Sequence, residues 1–172
     1  MALKKNITAF FAIGIMGVLG HFLYEWCAKS TLVGFFFPVN ESTWEHLKLL
    51  FFPTVIYSIF EYIFTKEKPK NYLPAIIISV WCGMITITTL FYTAKGILGF
   101  NLDFFNILIY FIAVLFSIYK KNKILKGDAF KTDTAFYIFA AIGLITALAF
   151  IFFSFNPPSL GIFTPPVEQL QK

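Results

Sequence analysis

Five stretches of this chain, at approximately 6–27, 43–65, 72–94, 103–120 and 133–155, are almost purely apolar. A hydrocarbon core of about 30 Å takes ~20 helical residues to cross, so each stretch is long enough to span a bilayer. No water is available there to satisfy backbone N–H and C=O groups, so each must be helical. Composition agrees: 20% of residues are aromatic and only 13% charged, against about a quarter charged in a soluble domain. The expected fold is all-α, an integral membrane bundle of five transmembrane helices forming one domain over residues 1–172.

The loops predict the orientation. Lys4 and Lys5 precede the first span. Lys66, Lys68 and Lys70 follow the second. Lys120, Lys121, Lys123, Lys126 and Lys131 lie between the fourth and fifth, so ten of fourteen lysines fall on one side. By the positive-inside rule the chain is N-in and C-out. Lys4-Lys5 before an apolar run imitates a signal peptide. No small-x-small cleavage site follows, so the run is read as a retained first span. All of the positive charge is lysine. Without the arginine forks that read phosphate and base edges, nucleic acid is not expected as a partner. Cys27 and Cys82 fall at a helix end and mid-span, which predicts neither a disulfide nor a paired-cysteine metal site.

Against this background the run Asn40-Glu41-Ser42-Thr43-Trp44-Glu45-His46-Leu47-Lys48 stands out. Ionisable groups beside a bilayer are costly and mark functional positions. With N-in orientation, His21, Tyr24 and Glu25 fall in the outer part of the first span. Glu41, Glu45, His46 and Lys48 fall at the outer start of the second, Tyr92 and Thr93 at the outer end of the third, and Asp103 at the start of the fourth. Both histidines and four of the nine acids therefore share one depth. Glu41, His46, His21 and Glu45 are the candidate catalytic residues, with Glu41 or His46 as general base. Lys48, Glu25, Tyr92 and Asp103 are the candidate substrate-binding residues, Lys48 neutralising an anionic group. His21 and Glu25 are i,i+4 and share a helix face that Gly14 and Gly17 continue, which turns His21 toward the bundle.

Each residue has a plainer reading. His21 can be an interhelical hydrogen bond. Ser42-x-x-Glu45 is a capping box that satisfies backbone donors at a helix start. Trp44 reads as an interfacial anchor. Ser42 and His46, at i,i+4, could form a nucleophile–base pair, though a serine engaged as a cap is a poor nucleophile. A divalent metal is compatible with two histidines and three glutamates, but no local ligand spacing calls for one, so little tightly bound metal is expected. Deeper in the second span, Glu61 is read as snorkelling or pairing with Lys66, and Pro53 as a kink. Residues 28–39 are too short to span and read as interfacial or re-entrant. The tail 156–172 reads as a strap over the outer face or as a frayed end.

The segment His21-Phe22-Leu23-Tyr24-Glu25-Trp26, followed by Gly34 to Pro53, resembles the signature of a family of small bacterial membrane proteins known only as a domain of unknown function. The likeness extends to Tyr92-Thr93 and Asn156-Pro157-Pro158. It implies a bacterial plasma-membrane location and no particular activity. From the residues themselves, the favoured function is a membrane-embedded enzyme acting at the outer interface on a lipid or lipid-linked substrate, with membrane lipids as partners. A small transporter is the main rival. It is disfavoured by the lack of an internal repeat, unless a homo-oligomer supplies the symmetry. A non-catalytic scaffold or sensor is the third reading.

Overall fold

The computed structural model describes residues 2–99 and 103–165. The elements in order are α1 (Ala2–Trp26), a short α2 (Thr31–Gly34), α3 (Thr43–Phe64), α4 (Tyr72–Leu98), α5 (Asp103–Lys126) and α6 (Asp133–Phe155), followed by a 3-10 turn at Gly161–Phe163. There is no strand among the described residues. Five of the helices are long and apolar enough to cross a membrane, so the all-α membrane bundle is observed.

Local chemistry sets the helix ends. Ser42 caps α3 by accepting the Glu45 N–H, and Thr132 caps α6 by accepting the Ala135 N–H. Gly99 closes α4 in the left-handed region at φ 75°, where glycine carries no Cβ penalty. Pro157-Pro158 follow the last turn of α6. Pro53 lies within α3, which continues as helix on both sides of it. The fourth span is longer than its apolar stretch. The lysines after position 119 end the hydropathy but not the helix, because lysine is a good helix former, and α5 runs on to Lys126.

α3 is the central helix, packed on α1, α4, α6 and the 3-10 turn, while α4 and α5 pair most extensively. Leu50, Val80, Ala113 and Val114 are fully buried where α3, α4 and α5 meet, and Phe150 of α6 closes the cluster. The outside is hydrocarbon: Phe11, Ile15, Val18 and Phe22 form an exposed stripe along α1. In water such a stripe would be a liability, whereas against lipid tails it is ordinary.

One sequence expectation needs correction here. Glu61 pairs with Lys121 of α5 at 2.6 Å, not with Lys66, and also accepts the Tyr72 hydroxyl at 2.8 Å. The extension of α5 past its apolar stretch is what carries Lys121 to α3. Trp44, read as an interfacial anchor, is half-buried and packs within the bundle. Its ring packs among Phe150, Phe153 and Phe163, with centroids 4.8, 5.8 and 4.8 Å away. Phe163 belongs to the 3-10 turn, so the tail through Pro165 folds back on the bundle as a strap. Both cysteines are free.

Candidate active site

His21 sits near the end of α1, Glu41 just before α3 and His46 in its first turns. Their reactive atoms converge. His21 Nε2 lies 3.2 Å from His46 Nε2 and 3.4 Å from Glu41 Oε2, and His46 Nε2 lies 3.3 Å from the same carboxylate oxygen. The three side chains are about one-third exposed.

Small residues on α1 allow this approach. A Cβ at Gly20 would strike the Phe37 ring at 2.7 Å, and one at Gly17 would collide with the Tyr110 hydroxyl and the Leu49 carbonyl. Both glycines let α1 lie close to the segment that carries His46. Gly14 faces Phe111 of α5 instead. The small-residue contact that delivers His21 is therefore Gly17 with Gly20, not Gly14 with Gly17.

His46 is held by its other nitrogen. Nδ1 lies 2.9 Å from the Ser42 carbonyl oxygen, which can only accept, so Nδ1 carries the proton. Nε2 is the nitrogen left to face His21 and Glu41. Ser42 contributes its carbonyl rather than its hydroxyl. Its Oγ accepts the Glu45 N–H, and the residue is 1% exposed. A Ser42–His46 nucleophile pair is not formed. The two imidazoles beside Glu41, His21 first and His46 second, hold its carboxyl well below the ordinary carboxylate range, against burial that pushes it up.

Glu45 and Lys48 have a different setting. Only half of the capping box forms. Glu45 does not reach back to the Ser42 N–H, which donates instead to Asn40 Oδ1 at 2.9 Å. The Glu45 carboxylate accepts Lys48 Nζ at 2.8 Å, the Val39 N–H at 2.9 Å and the Ser154 hydroxyl at 2.7 Å. Lys48 also donates to the Gly34 carbonyl at 2.8 Å. These contacts fasten the chain between α2 and α3, and with it the backbone leading into Glu41. Neither Glu45 nor Lys48 lines the cavity beside the His–Glu group.

That cavity encloses about 740 Å³ between α1, α3, α4 and α5, within the ~300–1,000 Å³ of small-molecule sites. His21, Glu41, His46 and Thr43 supply its polar end. Apart from Asn106 and Tyr110, the remaining lining residues, among them Val18, Phe22, Leu49, Ile87, Phe91 and Ile107, are glycine or apolar. Val18, Phe22 and Ile107 are also 41%, 47% and 54% exposed on the bundle surface, so the cavity shares its wall with the face that meets lipid.

The other expected site residues scatter. Glu25 is exposed and pairs with Lys29 at 3.5 Å. The Tyr92 hydroxyl accepts from Thr43 Oγ1 at 3.4 Å and does not line the cavity. The side chain of Asp103 lies outside the described residues. Sequence reasoning missed Tyr110, whose hydroxyl donates to the Ile13 and Leu49 carbonyls at 3.0 and 3.2 Å. It ties α5 to α1 and α3 at the cavity wall. The signal was present, because a tyrosine in mid-span must find an acceptor for its hydroxyl.

No curated protein and no solved structure matches the chain. A family model described as a family of unknown function (DUF6512) matches residues 2–169. The chain therefore belongs to this family of unknown function.

Proposed function

We propose that the protein is a membrane-embedded enzyme whose reactive centre is His21, Glu41 and His46. Its substrate is a lipid or lipid-linked molecule whose apolar part occupies the adjoining cavity. One observation carries the reading: the two imidazole nitrogens and the carboxylate oxygen meet in a mostly apolar chamber. A scissile group held there by a tail in the chamber would meet His46 Nε2 with its lone pair free to take a proton, and Glu41 beside it to stabilise the resulting imidazolium. Thr43 offers a hydroxyl at the same rim. The lysine asymmetry supports a centre on the outer side of the membrane, and the resemblance of the His21–Pro53 segment supports a bacterial plasma membrane. Glu45 and Lys48 serve this function by fixing the approach to Glu41 rather than by touching substrate.

The test is direct. Protein purified in mild detergent is extracted and its lipids identified by mass spectrometry. It is then reconstituted with bacterial lipid extract, and products are followed over time. Retention of one amphiphile class, and its turnover by the wild type but not by His46→Ala or Glu41→Gln, is the expected result. No retained amphiphile and no product from wild-type protein would refute the reading.

The transporter alternative has one observation of its own. The buried hydroxyls of Thr54, Ser58 and Ser117 have no hydrogen-bond partner among the described residues. Thr54 and Ser58 fall between His46 and Glu61 along α3. Buried hydroxyls without partners point to bound water, and a water file is what proton passage would use. Proton flux in proteoliposomes, abolished by Glu61→Gln, would favour that alternative.

A further inference from the structure

We infer that His21, Glu41 and His46 bind one divalent transition-metal ion, of zinc type, with a fourth coordination position open to the cavity. The inference rests on the reading of these residues as the reactive centre and adds the cofactor; with His46 Nε2 a ligand, a metal-bound hydroxide would take over the proton-accepting role.

The convergence of donors is the first reason. With Nδ1 turned to the Ser42 carbonyl, His46 presents Nε2 to the centre. His21 Nε2 and Glu41 Oε2 lie 3.2 and 3.3 Å from it and 3.4 Å from each other. One divalent cation can accept a lone pair from all three at once and neutralises the carboxylate.

The distances agree. Ligand atoms held ~2.0–2.1 Å from a tetrahedral zinc lie ~3.3–3.4 Å from one another. The three separations here are 3.2, 3.3 and 3.4 Å. Cis ligands on octahedral magnesium would be drawn to about 2.9 Å, and that ion prefers oxygen donors and bound water to imidazole. Two histidines and one glutamate with an open fourth position form a donor set used by catalytic zinc.

The support is of the kind metal-binding histidines have. An imidazole that ligates through one nitrogen donates through the other to a carbonyl or carboxylate, which fixes its tautomer, and His46 does so to Ser42. Glu41 follows backbone fastened by the buried Glu45–Lys48 pair, so its position is set before any ion arrives. The fourth direction is available because all three residues line the cavity. A bound hydroxide or a substrate oxygen would occupy it.

Untagged protein, stripped with chelator and dialysed, is titrated with zinc by calorimetry and counted by elemental analysis. Cobalt(II) is added separately as a spectroscopic probe. One equivalent of zinc per chain and the intense visible absorption of tetrahedral cobalt are expected. Glu41→Gln, His21→Ala and His46→Ala should each weaken zinc binding by more than the ~10–100-fold that loss of a supporting contact costs. Glu61→Gln, at the far end of α3, should still bind one equivalent. Gel filtration and thermal melting show that each variant is folded, and the wild-type cobalt spectrum decides the case even if a variant is not. Binding well below one equivalent, an octahedral cobalt spectrum, or unchanged affinity in all three variants overturns the inference. Chelator-resistant lipid turnover would defeat the metal alone. Stoichiometric zinc with no amphiphile bound or turned over would defeat the enzyme reading and leave the metal site standing.

Discussion

Lys48 Nζ lies 2.8 Å from Glu45 Oε2, and neither side chain is more than 1% exposed. Their remaining hydrogen bonds go to Gly34, Phe37, Val39 and Ser154. Taking one partner from a buried pair leaves the other charge unmatched, at a cost of ~3–5 kcal/mol. Lys48→Ala and Glu45→Ala should therefore lose much of their stability, read as a large fall in melting temperature in detergent. Glu45→Gln should also melt earlier, because the buried Lys48 ammonium loses its counter-charge. If Glu45→Gln melts with the wild type, the pair does not hold the structure in this way.

Glu41, His21 and His46 should behave in the opposite manner. They are partly exposed and their partners are one another. Single changes there should cost about 1 kcal/mol or less in stability. Activity should fall by ~100-fold or more, the usual worth of a positioned acid–base group. Melting curves and product formation on the same samples check both halves. A variant that is both stable and active would remove its residue from the centre.

The contact of α1 with α3 can be probed without touching the centre. Gly17→Ala places a methyl group against the Tyr110 hydroxyl and the Leu49 carbonyl. Overpacking of that kind costs ~1–3 kcal/mol, and the relief available is for α1 to move out, carrying His21 with it. Gly17→Ala should therefore melt earlier and lose activity together. Gly96→Ala, with open space around the added methyl, should do neither.

Orientation is tested with the protein's own thiol. Cys27 is exposed just beyond the end of α1, while Asp128 projects fully into solvent between α5 and α6. An impermeant thiol reagent on intact cells should label Cys27 in a Cys82→Ser background. It should spare a cysteine placed at position 128 once Cys27 is replaced by serine. The reverse pattern would put the His–Glu centre on the cytoplasmic side.

The helices were legible because long apolar runs in a chain this poor in charge have one physical outcome. What hydropathy could not show was where a helix continues after its apolar stretch, and so Lys121 was read as a loop charge instead of the partner of Glu61. Depth along antiparallel spans brought His21, Glu41 and His46 to one level. Their contact depends on Gly20 and on a non-helical turn before Ser42, and neither has a periodicity to read. Glu45 and Lys48 looked reactive for the same reason, being charges beside a bilayer. Only the carbonyls and hydroxyls that enclose them, from residues as distant as Ser154, separate a structural pair from a reactive one.

That last contact bears on how the protein is made. Every residue of the His–Glu centre lies within the first 46 positions and is synthesised before the third membrane helix begins. The cavity walls contributed by α4 and α5 follow. The Ser154 hydroxyl that completes the shell around Glu45 comes one residue before the end of α6. During insertion the chain thus carries its reactive groups before the enclosure that arranges them has been made. The reactive residues come first in the chain, and the elements that arrange them come after.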